Sequence, residues 1–403
     1  MEKKTIALIY GGNSLEAEIS IKSGKNVADN LDRNRYNIYE VLLRGESWRV
    51  VNPNGGSVGE SVVEELLNRE IEIERGYIAC SRTSEKTSGG TYSGKSGEAS
   101  CGTSCETSGE ASVNANNSGA RGRVRIKDLQ GLHGVEIDKT DFSFTYNGTK
   151  IKFDYAFIMI HGNPGENGVL QGYLEMMDIP FNTCTSFVST ITFDKHSCKR
   201  FLDFSGINMA KDLFIRREDF CFADCDSIID RLGLPLFVKP SDGGSSFGVT
   251  KVKEPKDLAK AIKAAFEVSS SVLVEESIQG REVTNGIYTV NGEMFTLPVT
   301  EIVTDREFFD YEAKYLGQSR EICPAPIGDE LTRRIQQTSR KIYRYLGCKG
   351  LVRIDYFIKD NEIYFLEMNT VPGMTAMSLV PAQVRVAGIP MQEFFNTLIA
   401  ESI

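Results

Sequence analysis

Asp355, Glu367 and Asn369 are two carboxylates and an amide in one short stretch, GLVRIDYFIKDNEIYFLEMNTVPGMTAMSL at 350–379. Its alternation of apolar and polar residues predicts two strands joined by a polar turn, because strand side chains point to alternate faces. With a three-residue hairpin loop at 360–362, Asp355 falls opposite Glu367 and Arg353 opposite Asn369. All-oxygen ligands of this kind suit Mg²⁺, which takes one or two carboxylates and completes its shell with phosphate oxygens. An amphipathic hairpin with a solvated acidic face fits the same pattern. Pro372-Gly373 then bends the chain, and a bent backbone with a glycine can bring N–H groups close to an oxyanion.

A second stretch, LPLFVKPSDGGSSFGVTKV, places a Gly/Ser loop between two predicted strands. Gly243 and Gly244 let backbone N–H groups approach phosphate oxygens, Ser245 and Ser246 add hydroxyl donors, and Lys239 puts a charge at the root of the loop. The loop lacks the GKS or GKT of a Walker motif, and strands flank it.

The elements that must position these groups follow from the patterning. The apolar run at 6–10 ends in Gly11-Gly12 and reads as a buried parallel strand entering a turn. The helix after it carries Ile19, Ser23, Val27 and Leu31 on one face, with Asn13 or Ser14 as its expected cap. A strand is expected at 38–43 and a helix at 60–71. Asn147-Gly148 marks a hairpin, and a strand at 156–160 delivers HGNPGENGVLQGYLE. A helix is expected over 193–204, another over 224–232 and a third from Pro255 to about 265. SVLVEE at 271–276 is a strand, 283–303 a hairpin turning at Asn291-Gly292, and 329–346 an amphipathic helix stopped by Gly347. The irregular stretch 305–326 has the length of a lid.

RIDYF, FLEMNTVPGMT and SLVP resemble the C-terminal signature of the D-alanine–D-alanine ligases of the ATP-grasp superfamily. GGNSLEAEIS resembles the first motif of that family, HGNPGENG its second, VKPSDGGSSFGV its phosphate-binding loop and DYEAKY its closing loop. The motifs stand in the family's order and cover nearly all of the chain outside 83–123. Asn167 replaces the aspartate the family pattern would place there.

The resemblance implies an α/β, three-domain ATP-grasp fold. Its domains are an N-terminal substrate-binding domain at 1–183, a central domain at 184–278 and a C-terminal catalytic domain at 279–403 with its lid at 305–326. It also implies synthesis of D-alanyl-D-alanine through a D-alanyl-phosphate, for the cell-wall precursor. On that resemblance Glu16 holds the ammonium of the first D-alanine, His161 lies near it, and Glu166 helps fix the loop. Lys195, Lys239 and Lys314 meet the phosphates of ATP together with Ser245 and Ser246. Glu275 and Ile278 contact adenine, and Glu282 the ribose. Tyr315 joins Ser245 and Glu16 in a hydrogen-bonded network. Asp355, Glu367 and Asn369 hold two Mg²⁺ ions (or Mn²⁺), Arg353 and the Gly373 N–H stabilise an oxyanion, and Ser378 and Leu379 hold the second substrate's carboxylate. The resemblance further implies a homodimer. Lactate-making relatives lose the lid tyrosine, so Tyr315 disfavours D-lactate; D-serine as second substrate and a non-catalytic ATP-binding protein are the other readings.

The 403 residues suffice for two or three domains. A net charge of −9 gives nucleic-acid binding no electrostatic support. Nine cysteines without paired CxxC spacing, and three histidines (His133, His161, His196) away from any cysteine pair, predict neither a disulfide framework nor structural zinc. No apolar run reaches the ~20 residues of a membrane span, so a soluble, cytoplasmic protein is expected. The segment 83–123 is rich in Ser, Gly and Thr and has too few apolar residues to offset its ordering entropy, so it is expected to be a disordered insertion.

Overall fold

The computed structural model describes residues 3–14, 16–59, 62–67, 134–222, 224–244, 248–304 and 319–400. The insertion at 83–123, Ser245, Ser246, Lys314, Tyr315 and most of the expected lid lie outside them, as does much of the helix expected at 60–71, of which 62–67 is helical.

β1 (Lys4–Gly11) occupies an interior position because its apolar run needs cover on both faces: residues 6–9 have no exposed surface. α1 (Ala17–Asn30) carries the chain to β2 (Tyr36–Arg44), parallel to β1, and β3 (Ser47–Val50) and β4 (Val135–Glu136) add antiparallel strands. β5 (Ser143–Tyr146) and β6 (Thr149–Lys152) form a separate hairpin around Asn147-Gly148. β7 (Tyr155–Ile158) then closes on the other side of β1, giving the order β4-β3-β2-β1-β7. Neither Asn13 nor Ser14 caps α1. Asn13 Oδ1 accepts from the Gly45 N–H and Ser14 Oγ donates to the His161 carbonyl, so both side chains tie the turn to neighbouring loops and Glu16 becomes the N-cap.

The middle of the chain begins with α2 (Val169–Met176), α3 (Ser186–Phe193) and α4 (Lys195–Leu202). The helix expected over 193–204 is α4, which starts at Lys195; α3, which was not expected, ends just before it at Asp194. That residue leaves helical geometry (φ −88°, ψ 110°), ends α3 and caps α4 by accepting from the Ser197 N–H at 2.7 Å. Lys195 therefore stands at the first position of a helix. After the short β8 (Asn208–Met209) come β9 (Asp212–Arg216), α5 (Cys225–Leu232), β10 (Leu236–Pro240), β11 (Thr250–Val252), α6 (Leu258–Phe266) and β12 (Ser271–Glu276). The second sheet is antiparallel, in the order β11-β10-β12-β9. It has its own core, built from Val238, Val252, Val272 and Val274 with Leu258 and Ile262 of α6.

β13 (Arg281–Val290) and β14 (Glu293–Thr304) form the expected hairpin around Asn291-Gly292, and β15 (Ser319–Ile322) follows. α7 (Asp329–Leu346) covers a sheet that continues through β16 (Val352–Lys359) and β17 (Glu362–Asn369) in the order β15-β14-β13-β16-β17-β8. α8 (Leu379–Val386) and α9 (Met391–Ala400) pack back towards the first sheet. Phe395 meets Phe157 edge-on at 6.0 Å, and Val371, Met374, Val380 and Val384 belong to the same core as β1 and β7.

Candidate active site

The β16–β17 hairpin brings Asp355 opposite Glu367 and Arg353 opposite Asn369 by a route the sequence pattern did not show. Its loop has two residues, Asp360 and Asn361, both with positive φ (50° and 64°), and Lys359 pairs with Glu362. A bulge between Tyr356 and Asp355 takes up the remaining residue. The expected three-residue loop at 360–362 is therefore corrected to a two-residue turn plus a bulge. The bulge also places Leu366 and Glu367, adjacent in sequence, on the wall of one cleft.

Asp355 is 4 % exposed and fully engaged. It accepts from Thr284 Oγ1 at 2.5 Å, from Arg353 Nε and Nη2 at 2.9 Å each, and from Asn369 Nδ2 at 3.2 Å. Among the described residues no three His, Cys, Asp or Glu side chains form a metal cluster; a cation held here by Asp355, Glu367 and the Asn369 amide oxygen would have to fill its shell from the substrate. That all-oxygen, part-protein set fits Mg²⁺ and would not suit a softer metal.

A cleft opens between the second and third sheets. It gathers Lys195, Lys239, Glu275, Ile278, Glu282 and Glu367, all singled out from sequence, with Gly243 and Gly244 of the loop. Phe237, Phe357 and Leu366 supply apolar wall and were not anticipated. Lys239 Nζ donates to Glu275 Oε2 at 2.5 Å. Burial works against the Glu275 carboxylate, but the ammonium groups of Lys239 and Lys199 outweigh it and hold its pKa at about 2. Burial likewise opposes the charge on Lys239, and Glu275 more than restores it. Lys195 Nζ donates to the Gly243 carbonyl at 2.6 Å, and its own N–H to the Ser241 carbonyl at 2.7 Å. Ser241 Oγ in turn donates to Asp194 at 2.6 Å, so the start of α4 is pinned to the end of β10.

A second cleft collects Glu16, His161, Arg353, Gly373, Ser378 and Leu379. Here most of the order comes from hydrogen bonds. His161 Nδ1 lies 2.8 Å from the Val371 carbonyl and Nε2 3.2 Å from Ser23 Oγ. This assigns the Nδ1–H tautomer, with Ser23 donating to Nε2 while it accepts from the Met374 N–H at 3.1 Å. Burial keeps the imidazole neutral by lowering its pKa, against the pull of Glu16. Asn26 Nδ2 donates to the Met374 carbonyl at 2.6 Å. Glu166 accepts from the N–H groups of Gly162 (2.7 Å) and Val371 (3.3 Å), and burial together with the nearby Glu16 pushes its pKa up to about 8. Gly373 leaves room for Ser378, whose Oγ would lie 3.0 Å from a Cβ there. Ser378 is the N-cap of α8 but bonds Thr375 Oγ1 at 2.8 Å instead of its own helix, leaving the helix N-terminus facing the cleft.

The two clefts meet in a passage walled by Lys195, Gly243, Gly244, Glu166, Glu367 and Asn369. Glu16 reaches the same place: a Cβ on Gly244 would stand 2.9 Å from its Oε2. Ser245, Ser246, Lys314 and Tyr315 lie outside the described residues, as does any contact of Tyr315 with Ser245 and Glu16. Sequence reasoning missed Ser23, Asn26, Asp194 and Lys199. Ser23 alone carried a signal, a hydroxyl on the inward apolar face of α1.

Two family models match the chain, "D-ala D-ala ligase N-terminus" over residues 5–184 and "D-ala D-ala ligase C-terminus" over 201–400. A D-alanine–D-alanine ligase of Phocaeicola vulgatus is 37 % identical over 398 residues, 98 % of each chain. One of Porphyromonas gingivalis is 48 % identical over 270 residues, 67 % of this chain and 82 % of that one. Among solved structures, the VanG D-Ala:D-Ser ligase from Enterococcus faecalis superposes with a TM-score of 0.75 at 29 % identity, covering all of both chains. D-alanyl-alanine synthetase A from Vibrio cholerae shares the fold, with a TM-score of 0.72 at 23 % identity.

Proposed function

The chain belongs to the D-alanine–D-alanine ligase family and has its ATP-grasp fold, and from that premise we propose that it joins two D-alanines at the expense of ATP for cell-wall precursor synthesis. The observation that carries the reading is the passage between the clefts, which shares Lys195 and Glu367 with one and Glu166 and Asn369 with the other, so that a carboxylate near Glu16 and a phosphate chain near Lys195 can meet there.

In this reading Glu16 binds the ammonium of the first D-alanine and turns its carboxylate towards Arg353 and the passage. An oxygen of that carboxylate attacks the γ-phosphorus, the bond to ADP breaks and D-alanyl phosphate forms. Such a transfer is largely positioning and charge, here supplied by Lys195 and Lys239, with Lys314, Ser245 and Ser246 assigned the same task by resemblance. Ile278, Glu282 and Glu275 hold the nucleoside end. Mg²⁺, held by Asp355, Glu367 and Asn369, would when bound neutralise charge building on the phosphate oxygens. The second D-alanine, its carboxylate on Ser378 and the Leu379 N–H at the start of α8, loses a proton and attacks the acyl carbon. A C–N bond forms, the C–O bond to phosphate breaks, and Arg353 and the Gly373 N–H receive the oxyanion charge. Resemblance gives Tyr315 the task of closing the site with Ser245 and Glu16, which keeps water from the acyl phosphate.

Among the described residues no helix is long and apolar enough to cross a membrane. A cytoplasmic location rests on the sequence's apolar patterning and cysteine usage, and a homodimer on the resemblance. The likeness to a D-Ala:D-Ser ligase makes D-serine the second reading for the acceptor. Purified protein with Mg-ATP tests both, through phosphate release and product mass. D-alanine alone is expected to give one phosphate per D-alanyl-D-alanine. Preferential mixed dipeptide when D-serine is added would move the acceptor assignment, and no phosphate with any D-amino acid would overturn the enzyme reading.

A further inference from the structure

Lys199 lies one helical turn beyond Lys195 on α4, 3 % exposed and behind the wall of the nucleotide cleft. Its ammonium has three oxygen partners: the Ala210 carbonyl at 2.7 Å, Glu275 Oε1 at 2.6 Å and Asp212 Oδ1 at 3.0 Å. Two hydrogen bonds and an ion pair with Asp212 make a buried ammonium tolerable. Asp212 is also held by Arg200 Nη2 at 2.8 Å, so it does not depend on Lys199 alone. Ala210 and Glu275 both line the cleft, and Lys195, at the head of the same helix, lines it too. One hidden side chain therefore ties α4 to the β8–β9 turn and to β12, and through Glu275 to Lys239 on β10.

The consequence is electrostatic. Glu275 presents one oxygen to Lys199 and the other to Lys239. Two ammonium groups thus share one carboxylate, and loss of Lys199 removes one positive charge from a cluster that also holds Asp212 and Arg200, leaving Glu275 to face Lys239 alone. We propose that Lys199 is a positioning residue for the nucleotide, which shares the Glu275 carboxylate so that Lys239 keeps charge to offer the phosphates. Lys199 touches neither substrate and acts only through Glu275. This rests on the reading of the cleft as the ATP site.

The test is ATP binding by calorimetry, with KM for ATP and for D-alanine, across wild type, Lys199→Met, Lys199→Gln, Lys199→Arg, Glu275→Gln and the Lys199→Met/Glu275→Gln double variant. Loss of one charge-assisted contact predicts that Lys199→Met and Lys199→Gln weaken ATP binding roughly tenfold, leave KM for D-alanine within about twofold, and are largely rescued by Lys199→Arg. In the Glu275→Gln background, Lys199→Met adds less than about twofold, since coupled residues are not additive. Glutamine keeps a donor but no charge, so it reports on charge even where methionine does not fold. Unchanged ATP affinity in Lys199→Gln would overturn the proposal, as would equal rises in both KM values that arginine does not rescue, or an undiminished effect in the Glu275→Gln background. A wild type that binds no ATP would instead overturn the nucleotide site itself, and this inference with it.

Discussion

The nucleotide cleft and the substrate cleft share one passage but are held open by different forces. The walls of the first come from two sheets with separate cores, one around Val238 and Val274, the other around Ile354 and Phe365. Buried charges bind its second-sheet wall to α4: Glu275 between Lys239 and Lys199. The walls of the second cleft share a core that runs from β1 and β7 to Val371, Met374 and Val384. There the turn at 371–374 is fixed by hydrogen bonds: Asn26 and His161 donate to its carbonyls, and Ser23 and Glu166 accept from its N–H groups. A site for a polyanion keeps cations in reserve as ion pairs. On the proposed reading, a site for two small zwitterions needs a fixed distance between Glu16 and Ser378, and neutral hydrogen bonds give that without adding charge.

If this contrast holds, variants in the two clefts must fail differently. Asp355→Asn, at the passage, is expected to lower kcat on the order of 10³-fold while ATP binding without Mg²⁺ stays near wild type. A steady-state and calorimetric comparison checks this, and a kcat loss below tenfold would remove Asp355 from the metal set. Glu275→Gln leaves two buried ammonium groups without their shared carboxylate; in other proteins such losses cost about 3–5 kcal/mol. It is expected to lower the melting temperature and raise KM for ATP more than KM for D-alanine.

Glu166 gives the substrate cleft its own signature. Its pKa is raised from the ordinary 4.5 to about 8 by burial and by Glu16, so the folded protein holds the proton more tightly than the unfolded chain. The stabilisation this brings is complete below about pH 4.5 and is lost as pH rises towards 8. Glu166→Gln, uncharged throughout, is expected to flatten the fall in melting temperature across that window. Parallel curves for both proteins would mean that Glu166 is ionised in the fold. The smallest effect is that of Asn26→Ala, which removes one hydrogen bond to the Met374 carbonyl. A loss of about 1 kcal/mol in denaturant unfolding is expected, with a rise of KM for the second D-alanine and none for ATP.

What the sequence showed of this site depended on how far apart the partners lie along the chain. Asp355, Glu367 and Asn369 converge through a hairpin, so counting residues was enough, even though the assumed three-residue loop is a two-residue turn compensated by a bulge at Leu366. The β13–β14 hairpin and α7 were readable for the same reason, from Asn291-Gly292 and from the apolar spacing that ends at Gly347. Lys199 was not readable: Ala210, Asp212 and Glu275 are 11, 13 and 76 residues away, and nothing in KHSCKRFL separates a buried lysine from a solvated one. The capping role of Asp194 was hidden because an aspartate at the start of an expected helix reads as a surface residue until its side chain is seen accepting from the Ser197 N–H. Ser23 stood in plain view on an inward face, and its polarity was the clue.

The central claim is that the carboxylate of one D-alanine is phosphorylated where the two clefts meet. D-alanine carrying ¹⁸O in its carboxylate tests it directly, by mass analysis of the inorganic phosphate released during dipeptide synthesis. Breaking the acyl C–O bond must carry one labelled oxygen per turnover into phosphate. Labelled phosphate matching the dipeptide formed is the predicted result; dipeptide accompanied by unlabelled phosphate would contradict the acyl phosphate and the use assigned to the passage.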